Sequence, residues 1–561
     1  MASYYIGDVP PVPASSIKHL SHAGETEFLS TGDIVEVFEH IFQWDDDCVS
    51  SDLCAIWRSQ GDPLCDAALA EIFPSSSSSV GKDLLQALET YVAEHPEAGS
   101  ARAFLDEVSR VPPPDIEVRP EDVELARELF LDNAVQIMQA LLHYSLAGGF
   151  ASPRIVRTLE AVSYLVPRGA RSAESSAHIT NASTERTFSR LLETLQFVLD
   201  VLDCTASPLA AGMPGDTAQK APVGHNTGGA AAFPEDHTAY LLPGGEGWRS
   251  AVRVRMLHGV ARRRVRERWK REGREDEEQE GVPISQEDMS ATLASFSTVP
   301  MWCLRRLHLS PPPACERAYL ALWRHVGFYL GVDARILTHY FAHPRTADKF
   351  LVSTAFQLFA PSSPLSSTTP VTGPTLPILH AVSHRPPSNA SFAHNVALTR
   401  HLLGNALSER LGLPQVSLYT YLRMRAALLV QAAFPWFGQL YPRAGWAAKR
   451  RALLREGIPR SLRWQLGMRR VSFRPRTEAA HGAKTSEGET HGEVADEGAE
   501  LAPGVKEAEC VSPDPARAQL LVRAWREVLV EMLGVCAGAG VLVGWTAWLT
   551  VRWTVHAFSG M

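Results

Sequence analysis

The chain has 561 residues, 45% hydrophobic and 21% charged, which is enough apolar material for a large core and too much for a disordered tail. A formal charge of -8 excludes a nucleic-acid binder that is basic over its whole surface. Its eight cysteines include no Cys-x-x-Cys pair, so neither a zinc ribbon nor a disulfide scaffold is expected, and the chain is expected to fold in a reducing compartment.

In chain order, the first 30 residues lack a basic segment followed by an apolar run, so no secretory signal peptide is expected. Residues 1–117 are read as an N-terminal helical extension. From Glu121 to Leu146, apolar residues recur every three or four positions (Leu125, Leu129, Phe130, Ala134, Val135, Met138, Leu141, Leu142), the spacing of an amphipathic helix. Ser189–Leu202, Ala251–Arg271, Glu316–Leu330, Phe392–Leu411 and Ser417–Phe434 show the same pattern. Alternating strand patterns with Asn-Gly or Asp-Gly turns are not evident, so an all-α fold is expected, with one large helical domain over 118–470.

Three stretches interrupt the helices. Thr205–Gly247 (Gly-, Ala- and Pro-rich) and Pro361–Ser391 (seven prolines) read as long loops. Residues 471–515 read as a flexible acidic linker that tethers the last segment, 516–561, loosely. Within that segment Met532–Val551 is twenty residues without a charge, long enough to span a bilayer as a helix. Trp545, Trp548 and Trp553 fall where an aromatic belt lies, and Gly534-x-x-x-Gly538 and Gly540-x-x-x-Gly544 permit close helix approach. The alternative is a buried C-terminal helix. If it spans, the chain is tail-anchored with its body on the cytosolic side.

Two clusters carry candidate chemistry. Between Arg253 and Arg274 stand ten Arg or Lys and two Glu, followed at once by the acidic run Glu275–Glu280. Trp269 is the one aromatic residue here, a poor match to nucleic-acid binding. On a helix Arg255, His258 and Arg262 share a face beside the apolar stripe Val254, Leu257, Ala261 and Val265. Such a histidine is either an ordinary polar residue or an iron ligand, with the guanidinium groups pairing haem propionates. Arg190 and Thr194, four apart, present a guanidinium and a hydroxyl on one side; the alternative is an ordinary helix with an Arg190–Glu193 ion pair. His339/His343 and His380/His384 have metal-helix spacing, but prolines follow both pairs and neither carries the Glu of a His-Glu-x-x-His motif. Arg443–Arg476, with eleven Arg or Lys against one Glu, is either a headgroup-binding surface or a solvated helix.

Taken together, Arg190-Leu-Leu-Glu193-Thr194, Arg253-Val-Arg255-Met-Leu257-His258-Gly-Val, Val282-Pro-Ile-Ser-Gln286-Glu287-Asp288 and Tyr319-Leu-Ala-Leu-Trp323-Arg324-His-Val-Gly327, with Gly61-Asp62-Pro63-Leu64-Cys65-Asp66 upstream, resemble the rubber oxygenase (latex-clearing protein) catalytic domain family, which includes the fungal ER-bound oxygenase of mycophenolic acid biosynthesis. The resemblance covers roughly residues 40–470. It implies a helical fold holding one b-type haem, with His258 as the axial iron ligand and Arg190 and Thr194 as catalytic residues; Arg255 and Arg262, from their place on the helix face of His258, are expected on the cofactor. It further implies O2 and a hydrophobic, isoprenoid-type substrate cleaved at a carbon–carbon double bond, no nucleic-acid partner, and an endoplasmic-reticulum membrane location. Rubber-cleaving members carry a lysine before the threonine, where Glu193 stands here, and Glu174 is the candidate for their active-site carboxylate. The rival reading is a haem-free, membrane-tethered interaction protein on the same fold.

Overall fold

A computed structural model describes residues 4–7, 9–10, 12–161, 181–204, 238–273, 281–359, 373–386, 388–467, 470–471, 473–476 and 515–559. The expected carboxylate Glu174, the acidic run Glu275–Glu280, most of the 205–247 loop and the 477–514 linker lie outside them. The first 43 residues correct the expectation of a helical extension. Strands β1 (Tyr4–Tyr5), β2 (Lys18–His19), β3 (Ile34–Val37) and β4 (His40–Gln43) form a sheet of order β1-β4-β3-β2. β3 and β4 are antiparallel, with Val37 opposite His40, joined by Phe38 and Glu39 at φ 48° and 67°. Two left-handed residues make the tight turn whose twist suits a hairpin, and here neither is glycine or asparagine, so the usual signal is missing from the sequence.

Thereafter the described chain is helical: α1 (Ser51–Arg58), α2 (Pro63–Ile72), α3 (Leu84–Glu94), α4 (Ser100–Val108), α5 (Pro120–Asp132), α6 (Ala134–Ala140), a π-helical turn at Leu141–Leu146, α7 (Ala147–Gly149), α8 (Pro153–Ala161), α9 (Asn181–Val201) and α10 (Glu246–Glu272). There follow α11 (Gln286–Arg306), α12 (Pro313–Tyr329), α13 (Ala334–Tyr340), α14 (Pro344–Phe359), α15 (Thr375–Ala381), α16 (Phe392–Leu403), α17 (Asn405–Arg410), α18 (Leu418–Leu440), α19 (Ala444–Gln465) and α20 (Pro515–Ser559). The all-α expectation holds for the body. Side-chain oxygens start several of these helices: Asp62 accepts from Cys65 N–H with Pro63 in the first turn, and Ser285 and Asp288 cap α11 reciprocally. α15 corrects the reading of 361–391 as loop throughout. Its prolines, Pro374 and Pro377, precede the helix and occupy its first turn, where no helical N–H is lost.

α11 is the central helix, buried over most of its length and packed on α1, α6, the π-helical turn, α12 and α14. Phe296 stacks on Trp323 of α12 at 5.2 Å, and Trp302 stacks on His40 at 4.5 Å, which ties the sheet to the bundle. The tail is not loosely tethered. The first turns of α20 dock on α19, where Trp446, Leu453, Val528 and Met532 form a separate apolar cluster and Trp446 Nε1 donates to Val528 O at 3.1 Å. From Leu533 to Trp553 every residue is exposed, and this part of α20 is long and apolar enough to cross a membrane.

Candidate functional site

α10 is clamped to α2 by two buried ion pairs. Arg255 reaches across to α2, where its Nε and Nη2 donate to Asp62 at 2.7 and 3.1 Å; Nη2 also reaches Glu107 at 2.7 Å, and the guanidinium lies 5.0 Å from the Phe104 ring centroid. About two turns later Arg262, fully buried, donates from Nε to both Asp66 oxygens at 2.9 Å and from Nη1 to Ile284 O at 2.8 Å. Asp62 and Asp66 are spaced four apart on α2, so one helix face meets the other charge for charge. Burial opposes the charged form of Arg255, but the Asp62 carboxylate outweighs it and raises the pKa. Between the two pairs the helices nearly touch: a Cβ on Gly259 would stand 2.5 Å from Leu69 Cδ1 and 3.1 Å from Cys65 Sγ. Gly331, at φ 84°, closes over the Arg255–Asp62 pair, where a Cβ would stand 2.6 Å from Arg255 Nε. The Nε and Nη2 of Arg255 are thus taken up by carboxylates that hold α10 on α2. Arg262 differs, because its Nη2 is buried with no hydrogen-bond partner.

His258 lies beside this clamp. Its Nδ1 is buried without a hydrogen-bond partner, and burial, reinforced by the Arg262 charge, lowers the imidazole pKa to about 4. The ring is therefore neutral at physiological pH. It is flanked by Val254, Leu257 and Ala261, all only half-buried.

Two further helices present similar faces. On α9, Leu191, Thr194 and Leu195 are half-buried; on α11, Ala291, Ser295 and Phe296 are half-buried and Thr292 is exposed among buried neighbours. Phe197 of α9 meets Phe296 of α11 edge-on at 6.3 Å, and α9 packs on α10, with Ser250 Oγ donating to Asp200 at 2.6 Å. From that junction Thr194 lies about 9 Å back along α9 and His258 about 12 Å forward along α10, at a rise of about 1.5 Å per residue. The three faces are mostly apolar and share a partial burial that sets them apart from the fully buried sides of the same helices.

The structure places Arg190 in an ion pair with Glu193 at 2.8 Å, and Glu193 also pairs with Arg476. Thr194 Oγ1 donates back to Arg190 O at 3.3 Å. Glu193, the departure from the rubber-cleaving pattern, is thus a buried anchor that positions Arg190. The other histidine pairs do other things: His339 sits 4.0 Å from Asp47, His380 stacks on Phe392 at 4.1 Å, and His384 occupies a left-handed turn at φ 58°.

One candidate was not read from the sequence. His143 stands on the π-helical turn, a rare geometry concentrated at functional sites. Its Nδ1 lies 2.8 Å from Thr399 Oγ1, whose hydroxyl donates to Asn395 O, so Nδ1 carries the proton and Nε2 is left as an acceptor. Burial lowers its pKa to about 3. The same turn is fixed to α11 by Ser145 Oγ donating to Ser295 O at 2.6 Å.

Fold and site together define a mainly helical protein with a neutral, partly exposed histidine on a firmly held helix. Among known families, the ER-bound oxygenase mpaB/B'/rubber oxygenase catalytic domain matches residues 128–437. The chain belongs to this family of oxygenases. No curated protein matches it. Of solved structures, that of latex clearing protein LCP in the closed state aligns with 75% of this chain and 93% of its own, at 16% identity and a TM-score of 0.42.

Proposed function

We propose that the chain is a haem-b-dependent oxygenase, tethered to the endoplasmic-reticulum membrane by α20 with its body on the cytosolic side, acting with O2 on a carbon–carbon double bond of a hydrophobic, isoprenoid-type substrate. The observation that carries the reading is His258, a neutral imidazole with an unpartnered buried nitrogen, flanked by the half-buried apolar side chains Val254, Leu257 and Ala261. Bound there, haem supplies the iron at which O2 is activated. The chain's own residues do the rest. His258 offers a lone pair that burial keeps unprotonated, and Arg262 Nη2 is the donor left for a propionate. Leu191, Leu195, Leu257 and Phe296 keep water out and favour an apolar substrate. Thr194 presents a hydroxyl at the depth of His258, with Arg190 held beside it by Glu193.

The test is the purified full-length chain, which is expected to show a Soret band and a b-type pyridine haemochrome. His258→Ala is expected to lose both while keeping its far-ultraviolet circular dichroism. A His258→Ala protein with full haem content would refute the ligand assignment, and a wild-type protein that takes up no haem would refute the function.

A further inference from the structure

α18 is apolar on both sides. Met424, Leu428 and Ala432 pack into the main core, while Leu418, Tyr419, Leu422, Leu429, Val430 and Leu440 on the opposite side are between 55% and 82% exposed. Leu418, Tyr419, Leu422, Leu429 and Val430, with the exposed Ala426 between them, make an apolar patch along about 20 Å of the helix, bordered by the exposed Arg423, and Leu440 stands exposed at its C-terminal end. No charged residue occurs from Ala426 to Leu440, fifteen positions. A surface helix of a soluble protein turns polar side chains outward, and a contiguous apolar face of this length marks a surface made to be covered.

What covers it is indicated by where α18 ends. Phe434 and Phe437, in its last two turns, pack against the cluster of Trp446, Val528 and Met532 at the base of α20, with the Phe437 and Trp446 rings 4.7 Å apart. Among the described side chains of α20 Met532 is the last buried one, and the exposed apolar run begins at Leu533. The end of α18 thus adjoins the part of α20 suited to a bilayer. α18 itself cannot cross, because its other face is fixed in the protein core.

We infer that α18 lies in the interfacial layer of the membrane that α20 crosses, with its outer stripe seated among lipid acyl chains, so that the catalytic body is held against the bilayer at a fixed orientation and not merely leashed to it. The basic stretch Arg443–Arg476 is not the headgroup surface. Arg450 and Arg451 pair with Asp132, Arg455 with Asp203, and Arg470 with Asp200, so those charges strap α19 and the following segment to α5 and α9. The inference rests on the membrane reading of α20.

The experiment uses the full-length chain in phosphatidylcholine vesicles, carrying the photoreactive p-benzoylphenylalanine in place of Leu429, Leu542 (tail) or Glu89 (an exposed position on α3) in separate preparations. After irradiation, lipid adducts are counted by mass spectrometry. Adducts at Leu429 comparable to those at Leu542, and roughly tenfold or more above Glu89, are the expected result. Lipid adducts at Leu542 but not at Leu429 overturn this inference and leave the tail reading intact. A Leu429 adduct to a second copy of the chain assigns the stripe to a dimer and also overturns it. Lipid adducts at neither position remove both readings.

Discussion

Asp62→Asn separates the two roles open to Arg255. In the folded protein the pair is nearly dry, with side-chain exposures of 6% for Arg255 and 4% for Asp62. Removing one charge from such a pair leaves an uncompensated buried ion, at a typical cost of about 3–5 kcal/mol. Glu107 remains as a partner, but at 38% exposure it is screened by water and only moves the expectation to the lower end, about 3 kcal/mol. Asparagine keeps the cap on α2, whereas Asp62→Ala also loses the hydrogen bond from Cys65 N–H and is expected to cost about 1 kcal/mol more. Replacing both partners by apolar residues, Asp62→Leu with Arg255→Met, restores most of the loss, because no charge is then stranded. Urea denaturation followed by circular dichroism measures each step. An Asp62→Asn midpoint equal to wild type would refute the clamp. Haem content separates the roles: a folded double variant that keeps full haem leaves Arg255 as a pillar, and one that loses haem returns it to the cofactor.

His325 is fully buried, with Val118 N–H donating to its Nδ1 at 3.2 Å and burial lowering its pKa to about 4. The unfolded chain therefore binds the proton first as pH falls: the stability that His325 contributes is complete above its ordinary pKa of about 6.5 and is lost between there and about 4. Melting temperatures are expected to drop across that window, and less steeply in His325→Gln; equal slopes for the two proteins would refute the assignment. Gly259→Ala gains about 0.5–1 kcal/mol of helix propensity but forces a methyl against Leu69, at about 1–3 kcal/mol, so a net loss is expected in the urea midpoint, and a gain would show that α2 and α10 are not so closely packed.

What the sequence shows of this molecule is what depends on neighbours along the chain. The three-to-four spacing locates α10 and α12 to within a few residues, and the uncharged run at 532–551 marks the exposed part of α20. The β3–β4 hairpin is hidden because its left-handed turn uses Phe38 and Glu39, and α15 because proline in a first turn looks like proline in a loop. At the site, His258 and the arginines around it are legible as a constellation, and the partners of those arginines are not. Asp62 and Asp66 stand nearly two hundred residues upstream, and nothing local distinguishes a guanidinium meant for a carboxylate side chain from one meant for a propionate. The basic stretch 443–476 fails in the same way: its charge is evident, but Asp132, Asp200 and Asp203 are brought to it only by the packing of α5 and α9.

The clamp also explains how His258 keeps the properties a ligand needs. A histidine within reach of a buried carboxylate gains a hydrogen bond and a raised pKa, and competes poorly for a metal at neutral pH. Here the two nearest carboxylates on α2 are taken up by Arg255 and Arg262, with bonds of 2.7 to 3.1 Å. Burial and the positive charge of Arg262 outweigh the opposing charge of Asp62 and lower the imidazole pKa to about 4. Nδ1 is left dry and unpaired, a state that costs roughly 1–3 kcal/mol and that packing alone does not offset. The arrangement accounts for Asp62 and Asp66 together: paired with Arg255 and Arg262, they fix α10 at the separation Gly259 sets.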